Sequence, residues 1–260
     1  MFSVNFTLDN FEYYLLILVR IVGFVAVAPY FNSGRVPNTV KIGFSCLLAF
    51  MVYYTVPFYE PSYTSIIGYS VCVIKETICG LLIGFGANLC QMILFLAGTI
   101  IDMDMGISMA TEFDPSINME VSITGSMYNY FVLILLMMSG MYQYIIRAIV
   151  DAYELIPVGQ VYIQTDMLLV TMIKYMTDMI IIAFRIFLPI FASIMIINVI
   201  LGIMAKVAPQ MNMFAVGIQI KVIAGLTILF LTVFLIPDIA NFIFREMKDM
   251  IYLMVEGFHE

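Results

Sequence analysis

Long apolar runs separated by short polar breaks dominate the chain, and the runs have the length of helices rather than strands. Residues 11–31 form the first, about the length a bilayer crossing requires. Residues 42–58 form a second, closed by Pro57 and by Glu60-Pro61. From 63 to 101 the chain is apolar except for Lys75-Glu76. As one helix that run would be about 58 Å long, near twice the hydrocarbon thickness. Glycine costs about 1 kcal/mol in a helix interior, so Gly80, Gly84 and Gly86 mark the expected weak point. Residues 123–148 are apolar with Gly140 inside, and Pro157-Val158-Gly159 reads as a loop. Thr165 or Asp166 then caps a helix reaching about Met204. The run from Lys206 to Asn212 breaks the pattern, and 214–236 is a last long apolar helix. Asp238 is expected to cap a final amphipathic helix, about 238–260, with Ile239, Phe242, Ile243, Met247, Met250, Ile251, Met254 and Phe258 on one side. Its other face is net acidic, which favours docking on protein over anionic lipid.

This pattern predicts an all-α, membrane-embedded protein of helical hairpins with broken helices, organised as one integral membrane domain over 1–260. Composition agrees: 63% of residues are hydrophobic and 11% charged, where soluble domains carry about 25% charged residues. The first ten residues lack the basic start of a secretory signal, so the first apolar run is expected in the mature protein. A net charge of −7 argues against nucleic acid as a partner. The single histidine, His259, lies at the tail, and no Gly-x-Ser-x-Gly, His-Glu-x-x-His or phosphate loop is present. Enzymatic function, a cofactor and a metal site are therefore not expected. Cys46, Cys72, Cys79 and Cys90 all lie in apolar runs and read as small buried residues.

Several charges stand inside the runs. Arg20 sits near the centre of the first, where it costs several kcal/mol unless paired or hydrated; an ion pair within the bundle and a contact to a neighbouring subunit are both open. Lys174, Asp178 and Arg185 fall within about 40° on one helix face, and Lys174 and Asp178 are spaced to pair. With Lys75, Glu76, Lys206 and Lys221, these read as packing and assembly charges rather than a proton path. Bases do not sort into the loops of one face as membrane topology asks, so protein rather than lipid is expected to cover much of the surface.

The stretch 97–120 is the exception to everything around it. It carries Asp102, Asp104, Glu112, Asp114 and Glu120 without a base, and mixes glycine, methionine and small polar residues around Asp114-Pro115. An irregular segment at membrane depth is tolerated only where protein or water surrounds it. It is either an external ordered loop or a segment standing in a pore. In the second case Met105, Ile107, Met109, Phe113 and Met119 can seal, since methionine fills irregular gaps, while Gly106 and Asp114-Pro115 let the backbone turn.

Three separated motifs resemble one family, that of FliR. The first is Arg20-Ile21-Val22-Gly23-Phe24 with Pro29, Pro37 and Lys41. The second is Ala97-Gly98, Ile101-Asp102, Met105-Gly106, Ser108-Met109-Ala110 and Phe113-Asp114-Pro115. The third runs from Leu201-Gly202 through Lys206, Pro209-Gln210, Asn212 and Phe214 to Gly217 and Lys221. Lys206 stands where the family usually has arginine, which loses the bidentate fork, and Gly217-Ile218-Gln219 replaces a usual Gly-Phe-Pro. The resemblance implies a subunit of the flagellar type III export gate in the bacterial inner membrane, at the flagellar basal body. It implies a fusion-like counterpart of FliP-type and FliQ-type subunits, one copy joining five and four of those, with FlhB- and FlhA-type components nearby. The family's central segment, here about 106–120, would plug the pore through which unfolded substrates pass. An injectisome gate subunit or a stand-alone secondary transporter or channel with discontinuous helices are the alternatives.

Overall fold

A computed structural model describes residues 8–29, 31, 36–58, 63, 65–110, 112–114, 119–210 and 212–258. In chain order the helices are α1 (Leu8–Val27), α2 (Asn38–Thr55), α3 (Ile66–Met105), α4 (Ile123–Ser139), α5 (Met141–Leu155), α6 (Thr165–Val207), α7 (Met213–Thr232) and α8 (Ile236–Glu256). Between α3 and α4 lie a 3-10 turn, Ile107–Ala110, and two short strands, β1 (Glu112–Asp114) and β2 (Met119–Val121). The fold is thus all-α, with one small antiparallel hairpin set into it. Among the described residues four stretches are long and apolar enough to cross a membrane: Asn10–Val27, Ile66–Met105, Thr165–Val207 and Ala215–Glu256. The α4–α5 pair makes a fifth if counted as one broken span. The expected second span, now α2, is not among them.

The chain divides into two compact units. The first comprises Met1–Leu89, Gly140–Tyr175 and Arg245–Glu260. Its core forms where α1 packs on α2 and on the first half of α3. Aromatic rings tie α1 to the α2 end: Tyr13 lies 4.7 Å from Phe58 and donates to the Pro57 carbonyl at 3.3 Å. The amphipathic stripe at the C-terminus is buried as its pattern requires, with Met247, Met250, Met254 and Phe258 all at 1% exposure or less. Gly86 leaves room for it, since a Cβ there would stand 3.1 Å from the Cγ atoms of both Met250 and Met254. The backbone of 162–164 then pairs with the chain end, Tyr162 N–H donating to Phe258 O and Gln164 N–H to Gly257 O.

The second unit comprises Cys90–Ser139 and Met176–Phe244. Here the second half of α3 packs on α4, with Gln91 Nε2 donating to Asn129 Oδ1 at 2.7 Å. The turn between α6 and α7 returns the chain on itself, and Asn212 caps α7 by accepting from Ala215 N–H. Gly217 meets Leu201 across this turn.

Three expectations need correction. The glycines at 80, 84 and 86 do not break α3, which runs unbroken for 40 residues, about 60 Å. They are contact points instead: a Cβ on Gly80 would fall on the Arg20 carbonyl, and one on Gly84 would lie 2.7 Å from Phe24 O. The run 123–148 breaks where no break was assigned: α4 ends at Ser139 and α5 begins at Met141, with Gly140 between them at φ of 73°. L-residues resist that backbone region and glycine does not. Finally, Asp238 does not cap α8. The helix starts at Ile236, directly after a 3-10 turn at Val233–Leu235, so Asp238 falls in its first turn.

The glycine seam carries a prediction. Gly80→Ala places a methyl group against the rigid backbone of α1, whose Arg20 C and Phe24 N lie 2.9 and 3.1 Å from the new atom. Overpacking of this kind costs about 1–3 kcal/mol, and the thermal midpoint of the detergent-solubilised chain should fall by several degrees. Gly43→Ala, which meets nothing within 4 Å on α2, should leave that midpoint unchanged.

Candidate functional site: the neck of the central segment

The central segment leaves α3 at Met105 and rejoins helix at Ile123. Its departure is set by Gly106, with φ of 80° and its N–H donating to Met103 O at 3.2 Å. Beyond the 3-10 turn, β1 and β2 pair in the register Glu112 to Val121, Phe113 to Glu120 and Asp114 to Met119. The segment therefore doubles back as a hairpin between two apolar helices.

One side chain joins the two ends of this excursion. Asp102, 1% exposed on the last turn of α3, accepts from Ser122 Oγ at 2.7 Å and from Thr124 N–H at 3.2 Å. The Thr124 hydroxyl donates to its other oxygen. Ser122 Oγ also accepts from Gly125 N–H at 2.8 Å, the arrangement of a serine N-cap. A carboxylate thus sits at the N-terminus of α4, where the unpaired N–H groups and the helix dipole favour negative charge. The helices can approach this closely because both partners are glycine: a Cβ on Gly98 would land on the Gly125 N and Cα.

Around this clamp, Met105 is fully buried, and a Cβ on Gly225 of α7 would collide with its sulfur. Gly106 faces Ile218 of α7, 3.9 Å from where its Cβ would stand. Asp104 carries a buried Oδ2 without a hydrogen-bond partner, with the Lys221 charge acting on it. The neck is therefore gripped by a carboxylate clamp, a glycine contact and a methionine seat, all within the second unit.

The first unit holds a separate charged cluster. Arg20 and Glu76 are both fully buried. Arg20 Nε donates to Glu76 Oε2, and Nη2 donates to Oε1 at 3.0 Å. Nη1 donates to the Ile156 carbonyl at 2.9 Å, and Gly159 N–H donates to Glu76 Oε1 at 2.8 Å. The guanidinium lies 4.2 Å from the centre of the Tyr153 ring, and Tyr153 in turn donates to Ile17 O. Of the two readings open for Arg20, the ion pair inside the chain is the one present. Its geometry is the bidentate fork that arginine offers and lysine does not.

The remaining singled-out residues are scattered. Gly106 and Ile107 are half-buried at the neck, while Met109, Phe113, Asp114 and Met119 are placed by backbone alone. Pro115 lies outside the described residues. Lys75 is half-buried. Lys174 is exposed and Asp178 half-buried, and among the described residues they form no ion pair with each other. Arg185 is exposed and lines a cavity of about 320 Å³. Gly202, Lys206, Pro209, Gln210 and Asn212 lie exposed along the end of α6 and the following turn, Gly217 is buried and Lys221 half-buried, and Phe214 is placed by backbone alone. Sequence reasoning gave no role to Ser122, Thr124 or Gly159. A serine directly before an apolar run is a helix-start signal, but its tie to Asp102 is a long-range contact. Among the described residues no cluster of histidine, cysteine or acidic side chains could hold a metal ion.

Comparison with known proteins agrees with the motifs. The chain is 24% identical over 239 residues to the flagellar biosynthetic protein FliR of Buchnera aphidicola subsp. Acyrthosiphon pisum, covering 91% of this chain and 90% of that one. It is 28% identical over 221 residues to the flagellar biosynthetic protein FliR of Bacillus subtilis, covering 84% and 85%. A shorter match, 27% over 157 residues and 60% of each chain, is to the surface presentation of antigens protein SpaR of Shigella flexneri. The family described as bacterial export proteins, family 1, matches residues 11–247, and the chain belongs to that family.

Proposed function

We propose that this chain is a membrane-embedded subunit of the flagellar protein export apparatus, and that its central segment closes the export pore. Similarity to flagellar biosynthetic proteins over most of the chain supports the flagellar reading over the injectisome one, whose relative matches a smaller share. The role is structural and gating, with no catalytic step assigned to any residue. The partners are FliP-type and FliQ-type subunits in the ratio given by the resemblance, together with FlhB- and FlhA-type components, in the inner membrane at the basal body. Large exposed apolar side chains such as Ile66, Phe234, Met138 and Val207, each at least 79% exposed in the isolated chain, support a life among lipid and sister subunits.

The observation that carries the plug is the neck. An ordinary surface loop between helices has no need of a buried carboxylate, a glycine-on-glycine contact and a buried methionine at its base. A segment that must stand against a pressure of ions and yield to a passing chain needs a rigid base and an adaptable tip. Gly106 and Ile107 lead out from that base, and Met109, Phe113, Asp114, Pro115 and Met119 make up the tip. The family residues Gly202, Lys206, Pro209, Gln210, Asn212, Phe214, Gly217 and Lys221 serve assembly, as do the exposed or half-buried charges Lys75, Lys174 and Asp178.

Deleting 106–120 while retaining Asp102 and Ser122 is the direct test. The expected result is a complex that still assembles with its partners but conducts ions in reconstituted vesicles. An assembled complex that stays tight would remove the plug. Transport or ion conduction by the chain reconstituted alone, without FliP- and FliQ-type proteins, would remove the gate-subunit reading as well.

A further inference from the structure

The last turn of α3 carries two carboxylates, Asp102 and Asp104, and no base. That is the wrong sign for a helix C-terminus, where the backbone dipole favours a cation. Asp102 escapes the conflict by reaching the N-terminus of α4. Asp104 does not. Its Oδ2 is buried without a hydrogen-bond partner, and a buried polar atom left so costs free energy unless another group compensates.

The compensating group comes from α7, in the same unit. Lys221 is the single charge of this 20-residue helix. Ile218, Lys221 and Gly225 fall within about 60° on one helix face. Both neighbours of Lys221 on that face meet the neck: Ile218 stands opposite Gly106, and Gly225 lies against the Met105 side chain. Lys221 is half-buried between them, and its charge acts on Asp104. The opposite side of α7 exposes Ile223, Leu226 and Phe230. The helix thus turns apolar side chains outward and keeps its one charge on the packed side, the reverse of what a solvent-seeking lysine requires.

We infer that Lys221 is a positioning residue for the neck: it supplies, from another helix, the cation that the end of α3 lacks, and so holds α7 against the point where the central segment departs. This task inside the chain goes beyond the assembly role that Lys221 shares with the rest of its motif. The two groups form no direct ion pair; the attraction acts through space, where partial burial limits screening by salt. The neck is thereby tied twice, Asp102 to α4 and Asp104 to α7. A movement that carries α7 off the neck leaves Asp104 against the α3 dipole with no cation, so the charge on Lys221 resists it.

What the neck is for rests on the export reading; the pairing itself does not, and the two are measured apart. The full chain is purified in detergent, and amide hydrogen exchange is followed at 103–107 and, as a control, around Arg20 and Glu76. Lys221→Met keeps an unbranched apolar stem and removes the charge. Exchange at 103–107 should rise about fivefold, the effect of losing an ion pair partly open to solvent, while the control amides keep their rates. Lys221→Gln, which stays polar, should give the same rise, and Lys221→Arg should exchange as the parent does. In a chain already carrying Asp104→Asn, the effect of Lys221→Met should shrink to under about twofold, because the carboxylate it acts on is gone. Parent-like exchange at 103–107 in Lys221→Met would overturn the inference, as would an equal rise with and without the Asp104 carboxylate. So would loss of co-purifying FliP- and FliQ-type proteins in Lys221→Met while the neck exchanges as in the parent, which would leave Lys221 an assembly charge alone. Faster neck exchange in a complex that leaks no more ions than the parent would support the pairing and count against the plug.

Discussion

Arg20→Met should unfold or strongly destabilise the first unit, while Arg20→Met combined with Glu76→Leu should recover most of the loss. The single change leaves Glu76 fully buried with only the Gly159 N–H for company. Removing one partner of a buried ion pair typically costs about 3–5 kcal/mol. That is a large share of the roughly 5–15 kcal/mol by which a folded protein is stable. The double change removes both charges and fills the space with apolar side chains, which is often neutral relative to the pair. It does not restore everything. The Ile156 carbonyl loses its donor and the Gly159 N–H its acceptor, and each buried unpaired group costs about 1–3 kcal/mol. The ordering to be measured is therefore parent above double variant, and double variant well above either single one. Thermal midpoints by fluorescence-detected size exclusion would give it. Equal loss in the single and double variants would show that the cluster is held by shape and hydrogen bonding, with the charges incidental.

Asp102→Ala should loosen the neck of the central segment without unfolding the first unit. The carboxylate receives three donors, from Ser122 Oγ, Thr124 N–H and the Thr124 hydroxyl. Hydrogen bonds to a charged group contribute about 1.5–3 kcal/mol each, and the three are not additive. A local loss of about 4 kcal/mol corresponds to a change of about a thousandfold in the opening equilibrium. Amide hydrogen exchange at 98–106 and 122–126 should accelerate by up to that factor, while amides around Arg20 and Glu76 keep their protection. Asp102→Asn should fall between, because an amide offers one acceptor oxygen where the carboxylate offers two. Ion leakage through the assembled complex should rise in the same order if the central segment is the plug. Unchanged exchange at 122–126 would mean that Ser122 alone caps α4 and that Asp102 does not clamp the neck.

The two clusters differ in how far they could be read ahead of the fold. Arg20 announces itself, because an arginine inside an apolar run is costly wherever the chain places it. Its partner does not: Glu76 is 56 residues away and stands beside Lys75, which reads locally as a neighbouring pair. Asp102 is less visible still. It sits in a stretch with four other acids and no base, and nothing in that composition separates the buried clamp from the rest. Its partners are a serine and a threonine at a helix start, neutral groups that carry no pattern over distance.

What the order of residues determines here is amphipathicity, length and membrane character. Apolar runs of helical length require helices, and the stripe from Ile243 to Phe258 buries as its spacing demands, because burial follows from periodicity alone. The end of the long apolar helix before Gly106 and the break after Val207 follow in the same way from local residue chemistry, whereas the pairing of β1 with β2 does not. Tertiary structure alone decides what a glycine is for. Gly80, Gly84 and Gly98 cost their helices the same local free energy as any glycine, yet α3 continues through all three because neighbouring backbone occupies the space where a side chain would stand. At Gly140, with nothing pressed against it, the same residue type separates two helices. Local propensity sets the cost, and the packing partner, remote in sequence, decides whether that cost yields a contact or a break.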